Sequence, residues 1–115
     1  MQNFKDITKR LIQALPELEE TYRNDVKVER SKEFFNDVKE QTMEYFSLLD
    51  AWEESAYKLV REGRIDIFPQ QIDATKENMQ ALMMHSYYKD VRKRKYMEIK
   101  QACHYIFMQS LEVKD

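Results

Sequence analysis

Residues 33–59 read EFFNDVKEQTMEYFSLLDAWEESAYKL, and Phe35, Val38, Thr42, Tyr45, Leu49, Trp52, Ala56 and Leu59 recur in them at spacings that alternate three and four. Only a helix brings residues so spaced to one side, because a strand needs alternation at two. The run predicts a heptad seam on one long helix, with Phe34, Phe46 and Val60 widening the apolar stripe. Ser31 is placed to cap its start, Glu33 suits the positive end of the macrodipole, and Gly63 is placed to close it in the left-handed conformation.

The same rhythm extends outward in both directions. Before the long helix, Phe4, Ile7, Leu11, Ala14 and Leu18 form a seam flanked by Ile12, Leu15 and Tyr22, and Pro16 inside it predicts a kink without a chain reversal. Residues 24–30 read as a polar loop from which Val26 and Val28 pack on the bundle end. After Gly63, the alternation of Ile65, Ile67 and Phe68 predicts an extended connector that caps the bundle. Pro69 pre-sets the first turn of the next helix, whose seam is Ile72, Thr75, Met79, Leu82 and Ser86, with Met83 and Tyr87 beside it. Continuing that register would bury Lys89 and Lys93, which is expensive, so the chain must turn between Tyr88 and Lys95. A fresh seam then runs through Tyr96, Ile99, Cys103, Ile106 and Ser110, supported by Ala102, Phe107 and Leu111. The expected helices span about 3–24, 31–62, 69–88 and 94–112. An unbroken third helix with exchange between two chains is the alternative at that turn.

Composition agrees with this pattern. One Gly and two Pro in 115 residues leave too few turn formers for a sheet protein, whereas helices joined by short links need few. Hydrophobic residues at 43% and charged residues at 35% suit one compact core. The expectation is a single all-α domain over residues 1–115, an antiparallel up-down-up-down four-helix bundle. Its start lacks a secretory apolar core and no apolar run approaches membrane-spanning length, so a cytoplasmic setting is expected. A single cysteine, Cys103, excludes an intrachain disulfide and a multi-cysteine zinc site.

Residues at several of these positions resemble the YppE-like family of small Gram-positive bacterial proteins. They are Glu33-Phe34-Phe35 with Val38-Lys39, Trp52, Gln71-Ile72 with Lys76-Glu77-Asn78, Ser86-Tyr87, and Lys93-Arg94-Lys95, covering roughly residues 31–110. The resemblance implies an all-α bundle, with no established activity and no functional residues to carry over.

Chemistry-bearing patterns are few. Bundle di-metal centres use Glu-x-x-His on two helices, but Leu82 stands three before His85 and Gln101 three before His104, so no metal or cofactor is expected. His85, His104 and Cys103 loosely echo a thiol–imidazole pair, yet Cys103 falls on the seam and reads as core. Asp50, Glu53, Glu54 and Tyr57 read as a solvated face opposite Trp52 rather than as acid–base machinery. Among the methionines of the last two helices, Met84 and Met97 fit the seams least and are the candidates for exposure. No catalytic residue is assigned, and no enzyme is expected.

Charge is distributed unevenly. Residues 89–100 hold six cations against Asp90 and Glu98, a local charge of +4, whereas residues 33–66 carry -5 and the whole chain -2. The basic run stands among tyrosines able to anchor a partner. Its bland explanation is a solvated hairpin tip whose cations suit a helix C-terminus. The leading expectation is a non-enzymatic module that binds another protein, preferably acidic rather than nucleic acid. The contact is assigned to Tyr87, Tyr88, Lys89, Arg92, Lys93, Arg94, Lys95 and Tyr96. A structural homo-oligomer and a bundle holding a small apolar ligand are the alternatives, and no membrane contact is expected.

Overall fold

The computed structural model describes residues 3–24 and 32–114, folded into four helices: α1 (Phe4–Arg23), α2 (Lys32–Arg61), α3 (Pro69–Tyr88) and α4 (Lys93–Ser110). Each boundary falls within two residues of the expected one. The proposed Ser31 cap, the Val26 and Val28 contacts, and the side chains of Phe34 and Phe35 lie outside what is described.

The helix ends follow from local chemistry. Asn3 Oδ1 accepts the Asp6 N–H at 2.8 Å and starts α1, which passes through Pro16 without ending. Gly63, at φ 69°, closes α2: its N–H donates to the Val60 carbonyl at 3.0 Å and the Arg64 N–H to the Leu59 carbonyl at 2.9 Å. These two bonds satisfy carbonyls that the helix end leaves free. Pro69 opens α3 as expected, and the Phe68 N–H donates to Gln71 Oε1 at 2.9 Å.

The helices run antiparallel in sequence order. Arg10 pairs with Glu44 across α1 and α2, Lys76 with Glu53 across α2 and α3, and Glu19 with Lys100 across α1 and α4. Ser86 meets Tyr96 across α3 and α4. In cross-section the bundle is a rhombus: α1 and α3 approach across the short diagonal, and α2 and α4 stand at the far corners. Large rings bridge that long diagonal. Trp52 of α2 meets Phe107 of α4 edge to face, with centroids 5.1 Å apart, and Phe4 stacks on its other side at 6.4 Å.

The seams form the core. Leu11, Leu18, Leu49, Trp52, Ile72, Met79, Leu82, Tyr96, Cys103 and Phe107 are all buried, and their burial supplies the main driving force for folding. Three expectations need correction. Ile65 and Ile67 turn inward, but Phe68 is 70% exposed, because extended backbone turns successive side chains to opposite sides. Ala102 faces solvent, since it lies on the flank of α4 away from its seam. Met97 is half-buried against the core, whereas Met84 is exposed as expected. The chain does break after Tyr88, so the continuous third helix is not adopted. No described helix is long and apolar enough to cross a membrane.

Candidate interaction surface at the α3–α4 end

The turn between α3 and α4 contains no glycine, and Lys89 takes its place at φ 56°, with its N–H donating to the His85 carbonyl at 2.9 Å. A residue with a Cβ in this conformation carries strain, so neighbouring contacts must hold it there. Three sets do so. The Lys89 ammonium donates to the Asn24 carbonyl, and the Tyr22 hydroxyl donates to the Val91 carbonyl at 2.6 Å. His85 Nδ1 lies 2.7 Å from Asp90 Oδ1.

Tyr96 anchors the turn from below. Its ring lies flat on Tyr22, with centroids 4.0 Å apart and planes 7° from parallel. Ser86 Oγ donates to the Leu82 carbonyl at 2.7 Å, which leaves the Tyr96 hydroxyl, 2.6 Å away, to donate to Ser86. Burial pushes the Tyr96 hydroxyl up to about 12, and burial likewise raises Tyr87. Beneath them, Lys100 lies 2.5 Å from Glu19, which also meets Arg23 at 2.6 Å. The hydrogen bond from Lys100, aided by Arg23, holds the Glu19 carboxyl below the usual carboxylate range.

The expected contact set therefore divides. Tyr87 and Tyr96 are core residues, 8% and 0% exposed; they hold the turn and offer no ring to a partner. Tyr88 and Lys89 are half-buried, and Arg92, Lys93, Arg94 and Lys95 are exposed together. The bland explanation for their charge also changes. Arg92 is the N-cap of α4 and the three residues after it form its first turn, so these cations sit at the positive pole of a helix. That turn contains no acid, Arg92 supplies no side-chain cap, and the last turn of α4 contains no base. Two of the other helices follow the opposite rule: α1 has Asp6 in its first turn and Arg23 in its last, and α2 has Glu33 first and Lys58 and Arg61 last, while α3 has no acid in its first turn. Only Arg94 of the four reaches an acid among the described residues, Glu98 at 3.5 Å, on an open surface.

The remaining candidates resolve into structure. Cys103 is fully buried, and burial pushes its thiol up to about 12, far from a reactive thiolate. His85 belongs to the turn, while His104 lies two turns beyond Tyr96 and is exposed, so the two rings and the thiol make no site. Asp50 and Glu53 straddle Lys76 at 3.2 and 2.9 Å, and the Tyr57 hydroxyl donates to Asp73. These side chains bind α2 to α3. Among the described residues, no three His, Cys, Asp or Glu side chains converge to hold a metal ion. Two shallow hollows lie on the outer surface of α4. One of about 260 Å³ is lined by Met97, Lys100, Gln101 and His104, and one of about 330 Å³ by Tyr105, Met108, Gln109 and Glu112. The exposure of Tyr105 and Met108 went unpredicted, although both fall opposite the seam in helical register.

Comparison with known proteins agrees with this architecture. The chain is 25% identical over 105 residues to "Uncharacterized protein YppE" of Bacillus subtilis (strain 168), covering 90% of this chain and 85% of that protein. The crystal structure of B. subtilis YppE superposes with a TM-score of 0.78 at 23% identity, over 91% of this chain and 86% of the other. The solution NMR structure of YppE gives 0.81 at 23% identity, over 96% and 91%. Residues 8–113 match the family described as "Bacterial domain of unknown function (DUF1798)", so the match takes in most of α1 as well as the stretch that carries the resemblance. The chain belongs to this DUF1798 family.

Proposed function

We propose that the chain is a non-enzymatic helical module that binds another protein through its α3–α4 end, and that the bound segment is acidic. One observation carries this reading: Arg92, Lys93, Arg94 and Lys95 stand exposed and consecutive at the positive pole of α4, with no acid in that turn. Four cations there repel one another and the helix dipole, so they work against folding. A bound acidic segment relieves both repulsions, and the rigid turn built on Tyr22, Ser86 and Tyr96 presents the cations without further ordering. The small acidic excess of the whole chain favours a protein partner over nucleic acid, whose phosphates would meet the acidic α2 side as well. A single cysteine, reduced and buried, suits a cytoplasmic setting.

The test compares the native chain with a variant carrying Arg92→Glu, Lys93→Glu and Arg94→Glu. Both are used to capture partners from bacterial cytosol at low and high salt, alongside a defined acidic peptide and a single-stranded oligonucleotide. Circular dichroism checks that the variant is folded. An acidic protein held by the native chain and released by the variant supports the reading. Unchanged capture, or retention of the oligonucleotide alone, removes it.

A further inference from the structure

The outer side of α4 carries a second seam that the bundle does not use. Arg94, Glu98, Gln101, Tyr105, Met108 and Glu112 follow one another at spacings of four, three, four, three and four, and all six are exposed. Such a stripe on a free helix face is the pattern by which one helix packs along another. Its middle is unlike the rest of the surface. Residues 101–111 contain no Asp, Glu, Lys or Arg, although 35% of the chain is charged and about four would be expected there. Tyr105 and Met108 are 63% and 47% exposed within that uncharged stretch. The hollow lined by Tyr105, Met108, Gln109 and Glu112 lies on the same face, whereas the other lies on the flank towards α1 and shares only Gln101 with the stripe.

The ends of the stripe name the occupant. Arg94 stands at the positive pole of α4, and Glu112 lies just past its negative pole, so each charge reinforces the dipole instead of offsetting it. A second α4 laid antiparallel corrects both ends at once. Placing Arg94 opposite Glu112 puts Gln101 opposite Tyr105, and symmetry repeats each pair. The helix dipoles then oppose. A twofold axis requires a patch that complements itself, and this one does, with opposite charges at its ends and a neutral centre. Glu98 remains beside Arg94, at 3.5 Å within the same chain.

We infer that the outer face of α4 is an isologous homodimer interface, with two α4 helices crossing antiparallel and Arg94 of each chain paired with Glu112 of the other. The two readings share Arg94, but Arg92, Lys93 and Lys95 lie off the stripe, so reversing Arg92 and Lys93 alone separates them.

Sedimentation velocity and light scattering of the full chain across ~1 µM to ~1 mM test it. A contact of one helix face lies at the small end of stable interfaces, so half-dimerisation is expected at roughly 10–100 µM. The mass should rise from 14.0 kDa towards twice that value. Tyr105→Glu should abolish the rise, and Arg94→Glu or Glu112→Arg alone should weaken it about tenfold. The combined swap should restore it, because the pair is then reversed and not removed. Arg92→Glu with Lys93→Glu should leave it unchanged. Circular dichroism establishes that each variant is folded. Three results overturn the inference: a constant 14.0 kDa across the range, a dimer indifferent to Tyr105→Glu, or a combined swap no better than either single change.

Discussion

Replacing Lys93 with glutamate should make the protein more stable, although it removes nothing buried and fills no cavity. Lys93 is the first helical residue of α4, exposed, and its neighbours three and four residues on are Tyr96 and Met97, so no charged pair within the helix complicates the change. A charge in the first turn of an exposed helix contributes about 0.3–1 kcal/mol. The substitution exchanges an unfavourable charge for a favourable one and so counts about twice; at the low end of that range, the gain is about 0.6–1 kcal/mol. For a domain of this size that corresponds to a rise in Tm of roughly 2–5 °C. Lys93→Gln should give about half the gain. Lys95→Glu should give less than Lys93→Glu, because repulsion from Glu98 three residues on offsets about 0.2–0.5 kcal/mol. Thermal melts followed by circular dichroism at about 0.1 M and 1 M salt measure this. The gain should shrink at high salt, where the screening length falls from about 10 to 3 Å. An unchanged or lowered Tm for Lys93→Glu at low salt would refute the reasoning. The basic turn would then be no burden on folding, and the case that it is kept for recognition would lose its footing.

Trp52→Ala should destabilise by about 3–5 kcal/mol in urea, since the ring bridges the long diagonal of the bundle between Phe4 and Phe107. Trp52→Phe should lose only about 1–2 kcal/mol, because the buried indole Nε1 has no hydrogen-bond partner among the described residues and its removal offsets part of the lost area; equal losses for the two variants would contradict this. Gly63→Ala should lose about 1 kcal/mol in the same assay. An added Cβ meets nothing within 4 Å, so the loss comes from the φ of 69° alone, and a neutral result would mean that the turn relaxes. Glu19 binds its proton more weakly when folded than when unfolded, so its contribution to stability is complete above the ordinary carboxylate pKa and fades as pH falls through the lower folded value. Glu19→Gln should therefore lose less stability than the native chain between about pH 6 and pH 3; parallel curves would exclude a role for the Lys100–Glu19 pair.

The seams were legible because burial on a helix leaves a rhythm in the residues, and Leu49, Trp52, Met79, Cys103 and Phe107 all lie where that rhythm puts them. Gly63 was legible for a similar reason, since a helix end in the left-handed conformation favours the residue that tolerates it. The turn at residues 89–92 was harder to place. Lys89 adopts the left-handed conformation without glycine, held by the Asn24 carbonyl from another helix, and such a contact leaves no local trace. The break falls where the seams put it, but the basic run was assigned to the wrong side of it. Cations taken to suit the end of one helix prove to open the next, and the sign of their interaction with the dipole reverses. Tyr96 illustrates a second confusion, because it opens the α4 seam and also neighbours a basic run. Seam position decides its fate, as the buried pairing with Ser86 and Tyr22 shows. Phe68 obeys the alternation of Ile65 and Ile67: its backbone is still extended, so a period of two turns it outward beside Asp66, and apolarity alone misled the expectation that it packs inward.

Lys93 and Arg94 are consecutive in the chain, yet about 100° apart around α4, so they separate the two surfaces proposed for it. Lys93 belongs to the tip alone, whereas Arg94 also begins the outer stripe that ends at Glu112. If the tip binds an acidic segment and the outer face binds a second copy, Lys93→Glu weakens the first association and spares the second. Arg94→Glu weakens both. Both reversals relieve the same dipole, but Arg94→Glu also loses the pair with Glu98 and sets two acids four residues apart, so its gain in Tm should be smaller than that of Lys93→Glu. A loss of dimer from Arg94→Glu that Lys93→Glu does not share, with both variants folded, therefore isolates recognition from folding within one turn of one helix. Restoration of that dimer by Glu112→Arg then fixes the direction of the second helix, since a parallel neighbour would set Arg94 beside another Arg94 and gain nothing from the exchange.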